Sequence, residues 1–195
     1  SFVGLETYEE YECSDLIYEK YEESKLNLEI IKHKNDNKNY LKYILKIISF
    51  MRELANKYNC YNGKLNIVFF LGETSKKLKI NSINEKLISS DNVNSGSCYP
   101  ESSIIIWRKE EFLKVLIHEL IHFHHIDFSS RDNNYSKLKS LLDNNFKLNG
   151  MDAVNESYTE TVTIVIHEYI LSRLLKIDFN YLLELEIKFI YFQVC

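Results

Sequence analysis

The chain has 195 residues, of which 45% are hydrophobic and 13% aromatic, and its formal net charge is −4. This length and apolar fraction suffice for one domain with a sizeable core, and they exclude an intrinsically disordered chain. Lysines are scattered among acidic residues without a basic stripe, so no nucleic acid partner and no acidic polymer substrate is expected. No apolar run approaches the roughly 18 residues of a transmembrane helix, so no membrane span is expected.

The cysteines give an expectation about the compartment. Four of them lie far apart in the sequence, without a CxxC pair. This spacing does not indicate disulfides, and together with the lack of a signal-like N-terminal segment it favours an intracellular location. We also expect the chain to be an excised fragment, because it begins without Met and stops directly after an aromatic-rich run.

The N-terminal part of the chain predicts a strand after an ambiguous segment. Residues 1–25 are acidic and rich in tyrosine, and they fit an arm, an edge element or a helix beginning near Ser14. Apolar and polar residues alternate over 26–30, as in a half-buried strand. The Asn-rich stretch 35–39 then predicts a loop.

The next elements alternate between helix and strand. Residues 40–58 have helical periodicity, and the apolar run 65–71 predicts a buried strand. A short helix is expected at 83–88, and a loop rich in Ser, Asn and Gly at 89–97. Residues 104–107 predict a strand that leads directly into the following helix. This order of elements predicts an α+β fold with a small mixed sheet and a backing helix.

The helix after this strand carries the most informative motif of the chain, the HExxH sequence His-Glu-Leu-Ile-His at 118–122. Residues i and i+4 of a helix project from the same side, so His118 and His122 can direct their imidazoles at one metal ion. A catalytic zinc ion has three protein ligands and one water molecule, whose proton Glu119 can accept. The motif therefore predicts one Zn²⁺ per chain with Glu119 as the catalytic base. The apolar surroundings leave a narrow polar stripe of Glu111, His118, His122 and His125.

A second motif supplies a third zinc ligand. Asn155-Glu156 followed by Glu160 resembles the second motif of the gluzincins, the thermolysin-like zincin metallopeptidases. The resemblance implies that Glu156 binds the zinc ion and that Glu160 hydrogen-bonds the far nitrogen of His118. Such a carboxylate fixes the tautomer of a ligating histidine and raises its basicity.

Other third ligands stay open on the residues alone. The competing candidates are Asp127, Asp152, His124 and His125. The spacing from His122 to Glu156 is longer than the compact gluzincin spacing, so an insertion between the two motif helices is expected. The loop residues at 127–134 and the amphipathic run 135–146 fit such an insertion.

The resemblance also implies a zincin-like architecture for one catalytic domain over 1–195. Its upper lobe, approximately 1–126, would contain the sheet and the HExxH helix. Its lower lobe, 127–195, would be mainly helical and would supply the third zinc ligand. Helical patterns at 152–175 and 180–192 agree with a helical lower lobe.

The function implied by the resemblance is a zinc-dependent peptidase, most simply an endopeptidase, that hydrolyses peptide bonds through a zinc-bound water activated by Glu119. The peptide or protein substrate would lie along an edge strand, for which residues 94–107 are the candidates. An alternative is a zinc-containing, non-catalytic peptide-binding or structural assembly module, although a structural site would not need Glu119. Candidates for stabilising the oxyanion are Tyr158, Tyr135, His125 and His167.

Overall fold

The structure, a computed structural model, describes residues 15–73, 94–127, 133–146 and 154–194. By its contacts the chain divides into two compact units, Ser1–His124 and His125–Cys195. The described residues contain one five-stranded mixed sheet and five helices, which confirms the predicted α+β class. The expectations for residues 1–14 and for a helix at 83–88 lie outside the described residues.

The first unit holds the sheet. Its elements are β1 Leu16–Glu23, β2 Leu26–His33, α1 Leu41–Lys57, β3 Leu65–Leu71, β4 Gly96–Tyr99, β5 Ser103–Ile106 and α2 Phe112–Phe123. The strand order is β1-β2-β3-β5-β4, with β2, β3 and β5 parallel and the two outer strands antiparallel to their neighbours. Helix α2 packs on β4, on β5 and on α1. The HExxH helix therefore lies beside the terminal strand β4.

Successive side chains of a strand point to opposite faces of the sheet, and in this sheet one face is buried more completely than the other. Alternate residues of β2 and β3 are buried, and those between them are half-buried. Full burial of one large aliphatic or aromatic side chain stabilises the fold by about 1.5–3 kcal/mol. The core that results, with residues at most 2% exposed, includes Leu28, Ile30, Ile44, Met51, Ile67, Phe69, Ile104, Leu116 and Leu120.

Several sequence predictions in this unit are confirmed. The helix predicted at 40–58 is α1, and the strand predicted at 65–71 is β3. The alternation at 26–30 belongs to the longer strand β2. Of the three possibilities for 1–25, the described part shows the edge element, because β1 is the outer strand of the sheet.

Two predictions near β4 were wrong in part. The predicted end of the loop at 89–97 is two residues too late, because Gly96 and Ser97 belong to β4. Gly96 pairs with Ile106, and this long-range pairing overrides the loop-like composition of the segment. The strand predicted at 104–107 ends at Ile106, and a short connection then separates it from α2.

The second unit is helical in its described residues. The helices are α3 Asn133–Phe146, α4 Val154–Leu175 and α5 Phe179–Val194, and α4 packs on α5. They confirm the helices predicted at 135–146, 152–175 and 180–192, the second of them from Val154 onward. In the described ranges, no helix combines the length and the apolar character that crossing a membrane requires.

A partly buried ion pair fixes the chain just before α2. Lys109 Nζ lies 2.7 Å from Asp36 Oδ2 and 2.8 Å from Glu73 Oε1. The Tyr40 hydroxyl donates a hydrogen bond to Asp36 Oδ2 at 2.6 Å. Burial alone raises the pKa of this carboxyl group, but hydrogen bonds from Lys109, from Tyr40 and from the backbone N–H of Lys38 lower it to about 2. The group therefore stays ionised and holds Lys109 in place.

This ion pair predicts a pH-dependent stability. Because the pKa of Asp36 is lowered from 3.8 to about 2 on folding, its contribution is complete above pH 4 and is lost as the pH falls towards 2. A shift of this size corresponds to about 2 kcal/mol, with about half of it lost by pH 3. Asp36→Asn should lower the free energy of unfolding at pH 7 by about that amount and flatten its decline between pH 5 and pH 3.

Chemical denaturation of metal-free protein at several pH values measures this effect. Glu184→Gln is the matched control, because Glu184 forms an exposed ion pair with Lys188 on α5, where solvent screens the attraction. An unchanged pH dependence in the Asp36→Asn protein would contradict a stabilising role for the pair of Asp36 and Lys109.

Candidate metal centre

The rotation of α2 about its axis decides which of its side chains reach the surface. In the run 116–123 six residues are buried, and His118 and His122 are the two that are half-buried. The histidines of the motif therefore form the accessible edge of an otherwise buried stretch of helix. The buried residues are Leu116, Ile117, Glu119, Leu120, Ile121 and Phe123.

The two histidines converge through the same ring atom. Nε2 of His118 lies 3.1 Å from Nε2 of His122, and the ring planes are inclined by 72°. Two nitrogen ligands of one tetrahedral zinc ion, each at about 2.0–2.1 Å from the metal, lie roughly 3.3 Å apart. The separation fits a shared metal ion, and it also fits a hydrogen bond between two neutral imidazoles in the metal-free protein. The donor atoms are thus arranged as a pair of zinc ligands would be.

Glu119 occupies a different side of α2 from the histidines. Only 8% of the residue is exposed. Its side chain lies against Gly96 of β4, close enough that a Cβ atom on that glycine would lie 3.0 Å from Glu119 Oε1. Gly96 was not among the sequence candidates, although a glycine inside a strand is typical of a close approach by another element. The carboxylate is therefore positioned between the helix and the terminal strand.

The end of α2 is held by His124, which is fully buried. Its Nδ1 lies 2.6 Å from the carbonyl oxygen of Tyr61, and the backbone N–H of Tyr61 donates to the carbonyl oxygen of His124 at 3.1 Å. The rings of Phe123 and Tyr61 pack edge to face at 5.4 Å. These contacts favour a structural role for His124 over its alternative role as third zinc ligand.

The second motif begins α4 in the second unit. Glu156 lies in the first turn and is exposed, and Glu160 is half-buried. The exposed position suits Glu156, because an acidic side chain in a first turn is stabilised by solvent and by the helix dipole. Asn155 Nδ2 donates to Asp127 Oδ2 at 3.0 Å. Asp127, one of the competing ligands, is therefore engaged beside the start of α4.

The remaining candidates belong to the part of the sequence that forms the second unit. Asp152 is outside the described residues. His125 is exposed and has a positive φ of 55°. His167 is half-buried, and its Nδ1 lies 3.0 Å from Oε1 of the buried Glu168. Two further half-buried candidates for stabilising the oxyanion are Tyr135 and Tyr158.

The contacts of His124 predict that α2 depends on this residue for stability. His124→Ala removes a buried side chain and its hydrogen bond to Tyr61, so the free energy of unfolding should fall by about 2–4 kcal/mol. His125→Asn is the control, because that site is exposed and Asn tolerates a positive φ. Urea denaturation of both variants measures the difference, and equal stabilities would contradict the structural role of His124.

Comparison with known proteins finds no similar protein. No model of a protein family, no curated protein and no solved structure matches the chain. The proposed function therefore depends on the chemistry of the described residues and on the two short motifs.

Proposed function

We propose that the chain is a zinc-dependent peptidase with a zincin-like fold, in which His118, His122 and Glu156 bind one zinc ion and Glu119 is the general base. The observation that carries the proposal is the convergence of the two Nε2 atoms at 3.1 Å beside a buried glutamate. Glu156 enters the proposal through the Asn155-Glu156 sequence, whose resemblance to the second gluzincin motif supplies the third ligand. A mixed sheet with an antiparallel terminal strand beside the HExxH helix supports the zincin-like fold.

The proposed ligand set favours a catalytic zinc site over a structural one. Structural zinc sites have four protein ligands, most often including cysteines, whereas catalytic sites have three and leave one position open. Two imidazoles and one carboxylate match the catalytic type, and they are hard or borderline donors that suit zinc. The proposed set therefore leaves room for water and for a substrate carbonyl.

Glu119 performs the proton transfers in this proposal. When bound, zinc supplies Lewis acidity, which lowers the pKa of water to about 7 and polarises a peptide carbonyl. Glu119 accepts the proton of the attacking water and then delivers it to the nitrogen of the leaving amine. Its burial beside β4 limits competing hydration and keeps the carboxylate in a fixed place.

The terminal strand β4 is the proposed receptor for the substrate backbone. Residues 94–107 were the candidates for an edge strand. Within this range β4 is the outer strand of the sheet, whereas β5 is paired with a strand on each side. An outer strand offers backbone N–H and C=O groups to an extended peptide. A peptide added to β4 would run beside the helix that carries Glu119.

The proton-transfer role predicts a separation between metal binding and turnover. Glu119→Gln should keep zinc, because Glu119 is not a ligand, and it should lower kcat by at least about 100-fold, since an amide cannot accept the proton. Zinc analysis and cleavage of a fluorogenic peptide library measure the two properties. Glu53→Gln, at an exposed position of α1, is the matched control. Cleavage that survives in the Glu119→Gln protein at the wild-type rate would rule out this base.

The proposed role of Glu156 as third ligand predicts that a variant without this carboxylate binds zinc more weakly. Glu156→Ala should weaken zinc affinity by more than the 10–100-fold typical of losing an outer-shell group, because it removes a direct ligand. Competition with a fluorescent zinc chelator gives the affinity, and Ser157→Ala, at the exposed neighbouring residue, is the control. Unchanged affinity with reduced turnover would move the third ligand to another residue.

A further inference from the structure

The terminal strand approaches α2 so closely that only a glycine fits at position 96. A Cβ atom built on Gly96 would lie 2.5 Å from Val115 Cγ1. The same atom would lie 3.0 Å from Glu119 Oε1 and 3.2 Å from Glu119 Cγ. Contacts below 3.0 Å between such atoms essentially do not occur, so any side chain here would displace α2, its side chains or the strand.

The backbone around Gly96 has little freedom to move away from α2. Gly96 pairs with Ile106 in the antiparallel ladder. One residue earlier along the same pairing, the backbone N–H of the buried Trp107 donates to the carbonyl oxygen of Ser95 at 2.9 Å. A methyl group at position 96 would therefore act mainly on the helix side chains that it meets.

We propose that Gly96 is a positioning residue that sets the place of the Glu119 carboxylate. This inference rests on the proposed function, because it states that Glu119 can act as the general base only if residue 96 has no side chain. The glycine holds open the space into which the Glu119 side chain fits. With that space filled, the carboxylate moves away from the proton that it must accept. His118 and His122 keep their positions, because neither is among the nearest atoms that a Cβ on Gly96 would meet.

A Cβ atom at position 96 would meet two residues, which allows a packing role of Gly96 to be separated from a positioning role. The shortest contact is with Val115, whose apolar side chain has no part in the proposed chemistry. Val115→Ala removes that contact and leaves the contact with the Glu119 carboxylate. A purely structural role of Gly96 predicts that Gly96→Ala becomes harmless in the Val115→Ala protein, whereas a positioning role predicts that it does not.

The first experiment compares Val115→Ala with Gly96→Ala/Val115→Ala. We expect both proteins to contain the same zinc per chain and the double variant to have a kcat lower by at least about 10-fold, with KM changed less than about 3-fold. Ser97→Ala is the control on β4, since its side chain points to the opposite face of the strand. Equal kcat in the two proteins would overturn the positioning role.

A second experiment tests the contact between Gly96 and Glu119 through thermal stability instead of activity. Gly96→Ala should lower the Tm of metal-free protein by about 3–10 °C, because overpacking costs stability. The loss should be smaller in a Glu119→Ala background, where the carboxylate is absent. An equal loss in both backgrounds would overturn the inference. Inactive wild-type protein that still shows this coupling would refute the proposed function and leave the contact between Gly96 and Glu119 supported.

Discussion

The fixed position of α2 is the constraint on which the candidate site depends. Before the helix, Lys109 is held by Asp36, whose side chain is only 6% exposed. After the helix, buried His124 is tied to the carbonyl of Tyr61. Between these two anchors the helix buries its apolar residues against the sheet and against α1. A helix anchored at both ends cannot rotate, so the directions of its polar side chains are determined by packing in the core.

In the proposed mechanism, one turn of this helix carries both histidine ligands and the base. The histidine pair reaches the surface on one side, where Nε2 atoms can bind metal. Glu119 points to another side, where the close approach of β4 at Gly96 gives it a defined space. Consecutive residues of a helix differ in direction by about 100°, so ligand and base can be neighbours in sequence without competing for the same place. The proposed separation of metal binding from proton transfer follows from this geometry.

Much of this arrangement follows from local sequence patterns, and the rest depends on long-range contacts. Periodicity alone predicts α1, β3 and α2, because each carries its own apolar pattern. The extent of β4 could not be predicted, since Gly96 becomes part of a strand only by pairing with β5. The pairing of Lys109 with Asp36 and the burial of His124 were equally inaccessible, because they join segments that are distant in sequence. The two histidines were predictable because HExxH encodes their geometry within one helix.

The zinc content of the wild-type protein tests the central claim most directly. Purified protein would be equilibrated with a small excess of zinc, dialysed against metal-free buffer and analysed by mass spectrometry of the metal, with circular dichroism to confirm folding. The proposed site predicts about one zinc ion per folded chain. Folded protein without zinc would contradict the proposed site and would leave His118 and His122 as a hydrogen-bonded pair on the surface of α2.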